Sequence, residues 1–196
     1  MPGNDPRTYS VLIVSGTDKF TAEVRRAASG RRISGTEALA SASSARRRLI
    51  ERDADIVVIC CPLPDEFGHE LAMDIAGQSA ASVIISVPQE VYGMVQDNVT
   101  DHGIQVLARP SSGNELERAL HFAAAIQDKV SIYREKLSET AARLEETRAV
   151  SRAKLLLMQE RGMSEDEAHR YIGREAMNSG VSRRRAAERI MDELEQ

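Results

Sequence analysis

Two groups of side chains in this sequence have types and spacings that could do chemistry. The first is Cys60 with Cys61, closing the apolar run Ile56-Val57-Val58-Ile59. A thiol beside a cation gains thiolate character and can serve as a nucleophile, a redox centre or a soft metal ligand. Adjacent cysteines do not frame a useful disulfide, and a cysteine pair without histidine at ligand spacing is a poor zinc site. Cys60 therefore reads best as a small buried thiol filling the end of a strand, with a redox or metal role as the alternative. The second group is cationic: Lys154, Arg170, Arg174 and the run Arg183-Arg184-Arg185, with the rings of His169 and Tyr171 among them. Guanidinium forks pair with phosphates or base edges, and rings stack on unpaired bases, a combination suited to RNA. The competing reading is a solvated face for the cations and a core position for Tyr171, which lies on an apolar stripe. No Gly-rich phosphate loop, metal-ligand cluster or nucleophile elbow is spelled anywhere, so an enzyme is the least supported class and neither a metal nor a cofactor is expected.

These residues must be positioned by ordinary globular elements. A chain of 196 residues, 42% hydrophobic and 29% charged, suffices for one main core and a small appendage. Its apolar runs are too short to span a bilayer, its N-terminus has no basic or apolar leader, and its two cysteines suit a reducing compartment, so the expected location is the cytoplasm. The net charge of −4 confines any nucleic-acid contact to a local basic patch. Val11 to Val14, Ile56 to Cys60 and Val83 to Ser86 are continuous apolar runs, as expected of parallel strands buried on both faces. A weaker strand is Gln105-Val106-Leu107, and another lies hidden between Ile33 and Leu39. Helices are expected over Asp18 to Ala28, Ala45 to Glu51, Glu70 to Ala76, Val91 to Thr100 and Glu115 to Ala125. The order is a fivefold strand-then-helix repeat, an α/β doubly wound parallel sheet whose functional loops lie at the carboxyl ends of the strands.

After Phe122, Gly and Pro vanish until Gly162, and one long helix is expected. Ile126, Val130, Tyr133, Leu137, Thr140, Leu144 and Thr147 recur in steps of four and three, a heptad seam suited to a homodimeric coiled coil or, alternatively, to a linker helix packed on its own domain. The remaining chain is punctuated into three helices. Gly162 ends the first, Ser164 with Glu167 spells a capping box for the second, Asn178-Ser179-Gly180 ends it, and Ser182 caps the third. Ala168, Tyr171, Ile172, Glu175 and Ala176 share one face of the second helix, and Ala186, Ala187, Ile190, Met191 and Leu194 one face of the third. Such short helices are stable only when packed together.

The segments Val150 to Met158, Met163 to Ile172 and Glu175-Ala176-Met177 resemble the ANTAR domain, the RNA-binding module of transcription antiterminators. Ala153, Lys154, Tyr171, Arg174, Ala176 and Met177 fall on the family's motif positions, with Ala153, Ala176 and Met177 expected to pack. Residues 9 to 122 resemble the receiver domain of response regulators. The expected layout is a disordered N-terminus over 1–8, a receiver-like domain over 9–122, a coiled-coil linker over 123–150 and the ANTAR module over 151–196. The resemblance implies binding of tandem hairpin loops in an mRNA leader by a dimer, so that a terminator hairpin cannot form. A working receiver holds Mg²⁺ on two carboxylates after its first strand and accepts phosphate on an aspartate ending its third, because a hard cation offsets the phosphoryl charge. This sequence has Ser15, Gly16 and Cys60 at those positions, and Arg109 where the fifth strand normally ends in lysine. Asp18, Asp65 and Glu66 sit several residues off the required places and read as helix caps or solvated groups. The expected receiver is therefore independent of phosphorylation and switched by a regulatory protein partner, acting on the face formed by the helices and the loop from Pro62 to Gly68, or by rearrangement of the dimer. A DNA-binding response regulator and a protein-only adaptor are the alternatives.

Overall fold

The computed structural model describes residues 7–30 and 32–194. The expected disordered stretch 1–8 lies outside the described residues except for Arg7 and Thr8, which are exposed. Five strands, β1 (Tyr9–Val14), β2 (Ile33–Leu39), β3 (Ile56–Cys60), β4 (Ser82–Pro88) and β5 (Gln105–Arg109), pair in parallel in the order β2-β1-β3-β4-β5. Four helices intervene: α1 (Asp18–Ala27), α2 (Ala42–Glu51), α3 (His69–Gln78) and α4 (Tyr92–Val99). Short 3₁₀ turns flank α4. A single helix, α5, then runs from Gly113 to Arg161, followed by α6 (Glu165–Ser179) and α7 (Arg183–Leu194). Within α5 the chain divides into two compact units, residues 1–131 and 132–196.

In the first unit the two-residue period of the strands divides the core between the faces of the sheet. Leu12, Val14, Val57, Ile59, Val83 and Ile85 pack under Ala45, Leu71 and Val95 of α2, α3 and α4. Val11, Ile13, Ile56, Val58, Cys60 and Ile84 face Phe20 and Val24 of α1 and Leu116, Leu120 and Ala124 of α5. Burial on both faces is why β1, β3 and β4 read as unbroken apolar runs. The edge strands β2 and β5 are only partly covered, which is why Ser34, Gly35 and Glu37 are tolerated in β2.

Two ties hold the foot of α5 to this sheet. Gln127 donates its side-chain amide to the carbonyl of Ala80 at 2.7 Å and to Ser82 Oγ at 3.1 Å. Asp128 accepts hydrogen bonds from Tyr9 Oη and, at 2.5 Å, from Arg32, whose guanidinium also lies 5.5 Å from the Tyr9 ring centroid. The Arg32 bond, then the Tyr9 bond, holds the Asp128 carboxyl below the usual carboxylate range. A carboxylate depressed in the folded state contributes stability that is present above its unfolded value and lost as pH falls through the folded one. Asp128→Asn should therefore flatten the acid limb of stability, read as the urea midpoint of the receiver unit between about pH 6 and about pH 3. An unchanged limb would remove Asp128 from that account.

The second unit has its own small core of Ala153 and Leu157 from α5, Ala168 and Ile172 from α6, and Ala187 and Ile190 from α7. Gly162 and Gly180 both sit at φ 62°, the left-handed turn that ends a helix, and Gly180 donates its backbone N–H to the carbonyls of Ala176 and Met177. The capping box at α6 is formed, with Glu167 N donating to Ser164 Oγ at 3.4 Å and Ser164 N to Glu167 Oε2 at 2.9 Å. Met177, expected to pack, is instead 83% exposed, because the buried stripe of α6 is Ala168, Ile172 and Ala176 and Met177 follows it by one residue, about 100° round the helix.

Candidate nucleic-acid interface and strand-end site

The four strand-end residues singled out in the sequence meet at the carboxyl edge of the sheet. Arg109, closing β5, donates from Nη1 to Cys60 Sγ at 3.0 Å and from Nη2 to the Cys61 carbonyl. Ser15 turns its hydroxyl back on its own loop, donating to the Thr17 carbonyl at 3.0 Å and accepting from Thr17 N at 3.1 Å. A Cβ built on Gly16 would lie 2.9 Å from Pro64 Cγ, so the loop after β3 occupies the space that a side chain after β1 would need. Burial pushes the Cys60 thiol above its ordinary range, against the opposing pull of the Arg109 charge and the Ser15 and Thr17 hydroxyls. Burial likewise pushes Cys61 up to about 12. Both sulfurs are thus thiols, and they belong to the cores on opposite faces of the sheet. Side chains buried on opposite faces of a sheet do not converge on a common metal ion.

The nearby carboxylates are engaged elsewhere. Asp65 accepts from the backbone N–H groups of Ala42 and Ser43, both at 2.9 Å, at the start of α2, and these bonds lower its pKa. With Ser41 as N-cap, this makes α2 begin three residues before the Ala45 expected from the sequence. Glu66 pairs with Arg46 at 2.6 Å, and Arg46 also reaches Asp74 at 3.0 Å. Asp18 is an exposed residue in the first turn of α1.

In the second unit the cations separate into two groups. His169, Arg170, Arg174 and Met177 of α6, with Arg183 of α7, line an open groove of about 560 Å³ floored by Gly173, Ala176, Gly180 and Val181. Among the described residues none of Arg170, Arg174 and Arg183 forms an ion pair; Arg170 donates only to the Asp166 carbonyl, at 3.2 Å. The others stand outside this groove. Lys154 pairs with Glu165 at 2.5 Å, Arg184 with Glu188 at 2.8 Å, and Arg185 is exposed near the start of α7. Tyr171 is half-buried against the small core, with its hydroxyl accepting from Arg161 Nη1 at 2.9 Å and the Arg161 guanidinium 5.3 Å from its ring centroid. Sequence reasoning missed Arg161, because a cation ten residues upstream across a helix break leaves no periodic signal.

Within their own units, the seam residues of α5 are mostly exposed. Tyr133 and Leu137 are 69% and 72% exposed, Leu144 and Ile126 are exposed and Val130 is half-buried. Phe122, one turn before Ile126, is also exposed. No helix among the described residues is long and apolar enough to cross a membrane.

Comparison with known proteins agrees with this division. Residues 138–191 match the family model of the ANTAR domain. The transcriptional regulatory protein PdtaR of Mycobacterium tuberculosis, in strains CDC 1551 / Oshkosh and ATCC 25618 / H37Rv, is 26% identical over 140 residues, spanning 71% of this chain and 68% of that protein. Among solved structures, the signal receiver domain of an HD domain-containing protein from Pseudomonas fluorescens Pf-5 superposes with a TM-score of 0.58 at 20% identity, over 66% of this chain and 96% of that one. The chemotaxis response regulator CheY4 of Vibrio cholerae gives 0.51 at 16% identity, over 59% of this chain and 98% of that one. The chain thus joins a CheY-like receiver fold to a C-terminal ANTAR domain, the arrangement of a transcription antitermination regulator.

Proposed function

We propose that this protein binds tandem hairpin loops of nascent mRNA as a dimer and so prevents a terminator from forming, under the control of a receiver that does not use phosphorylation. The observation that carries the RNA reading is the groove between α6 and α7, where Arg170, Arg174 and Arg183 stand without ion-pair partners beside an exposed methionine and His169. Guanidinium groups without a close ion-pair partner favour a polyanion, and an apolar floor beside them favours splayed bases over a duplex, whose bases are stacked out of reach. The exposed apolar side chains Tyr133, Leu137 and Leu144 on the part of α5 in the second unit support self-association through that helix, which would bring two grooves to two hairpins. The pairing of Asp65 and Glu66 with other groups, and the filling of the Gly16 side by Pro64, support a receiver without a Mg²⁺ and phosphoryl site. Control then falls to a protein partner or to rearrangement of the dimer.

The full chain is expected to bind an RNA carrying two short adjacent hairpins more tightly than an RNA with one, and more tightly than duplex DNA of the same length. Electrophoretic mobility shift at several salt concentrations measures this. Preference for DNA would replace the reading with a DNA-binding regulator, and binding to neither with a protein-only adaptor.

A further inference from the structure

We infer that Arg109 is a built-in strap that ties the carboxyl end of β5 to β3 across β4, presetting the strand-end face that a receiver ordinarily adjusts through its metal and phosphoryl group. The inference deepens the phosphorylation-independent reading of this domain and rests on it. Its geometry is that of a bridge. Strands β3 and β5 are not neighbours: β4 lies between them, with Ser86 in register with Cys60 on one side and with Leu107 on the other. Arg109 nevertheless reaches two acceptors on the far strand's end, the Cys60 thiol at 3.0 Å and the Cys61 carbonyl. On the strand between, Ser86 is fully buried, and its hydroxyl has no hydrogen-bond partner among the described residues. Arg109 Nε is also buried without a partner among them. Guanidinium suits this task where lysine would not, because its fork addresses two acceptors at once from a fixed plane. Position 60 suits it too: a carboxylate there would draw the cation into an ion pair and be available to a metal, whereas a protonated thiol accepts a weaker bond and offers no hard oxygen. The same end of the sheet is closed from the other side by Pro64 against Gly16.

A strap differs from an ordinary packing residue in where its loss is felt. Hydrogen exchange read by mass spectrometry on the full-length protein should show faster exchange in Arg109→Ala over Gln105 to Arg109 and over the loop from Cys61 to Gly68, by roughly tenfold, the equivalent of about one net hydrogen bond. Exchange over Tyr9 to Val14 should stay as in the parent. Alkylation of Cys60 by iodoacetamide under native conditions should quicken in Arg109→Lys, where the cation that favours the thiolate is kept while the strand end opens. Arg109→Lys keeps the charge and stem but not the fork, and should resemble the alanine variant; it carries the test by itself if Arg109→Ala does not fold. Parent-like exchange in Arg109→Lys, or uniform loosening that includes β1, would overturn the strap. The reading beneath it fails differently: if beryllium fluoride with Mg²⁺ altered strand-end exchange in the parent protein, the receiver would use a phosphoryl site after all, whatever Arg109→Lys had shown.

Discussion

Leu157→Ala is expected to unfold the C-terminal unit while leaving the receiver sheet intact. Among the described residues, the large aliphatic side chains buried in that unit are Leu157, Ile172 and Ile190, set among Ala153, Ala168 and Ala187, with Val150, Met163, Met191 and Leu194 partly buried against them. Leu157 is fully buried, so truncating it leaves a cavity and costs about 2–5 kcal/mol. A unit this small has only a few kcal/mol to lose, and its short helices have no stability apart from their packing. The receiver core, with its own two apolar layers, shares none of these residues. Hydrogen exchange should therefore collapse to the unprotected rate over 163–194 and persist over β1 and β3, and hairpin binding should vanish with it. Retained protection over α6 and α7 would mean that the small core is not what holds the unit together.

The fold is readable from the sequence to the extent that it depends on local pattern. Strands β1, β3 and β4 announce themselves because they are buried on both faces, and the α6 cap because Ser164 and Glu167 are three residues apart. Strand β2 is harder: an edge strand half open to solvent has no need of an apolar run, and Ser34, Gly35 and Glu37 conceal it. The site is legible as residue types but not as partnerships. Nothing in the sequence says that Asp65 caps a helix beginning 23 residues earlier, that Pro64 lies against Gly16, or that Arg109 crosses a strand to reach Cys60. These pairings join segments that only the folded sheet brings together. The arginine run shows the same limit. Arg183, Arg184 and Arg185 are equivalent as letters, but their successive 100° steps around α7 send Arg183 to the groove and Arg184 to Glu188.

That division makes the strongest prediction about RNA. Replacing Arg170, Arg174 and Arg183 together by alanine should weaken binding of the two-hairpin RNA by about a hundredfold or more, since each removes a charge-assisted hydrogen bond. It should also reduce the slope of log affinity against log salt by about 2, at roughly 0.7 for each single-strand phosphate that is no longer neutralised. All three side chains are exposed, so the melting temperature of the unit should scarcely move. Arg184→Ala is the matched control. Set against the single replacement Arg183→Ala, it removes the same one charge from the same turn, but from a side chain already paired with Glu188 at 2.8 Å, and so should change affinity and slope far less than Arg183→Ala does. Titrations of the parent and the three variants at four salt concentrations separate the outcomes. If Arg184→Ala proved as damaging as Arg183→Ala, only the net charge of the helix pair would matter, and the groove would not be the interface. If the triple variant kept the parent's slope, the phosphates would be held by other cations, with Lys154 and Arg185 the next to replace.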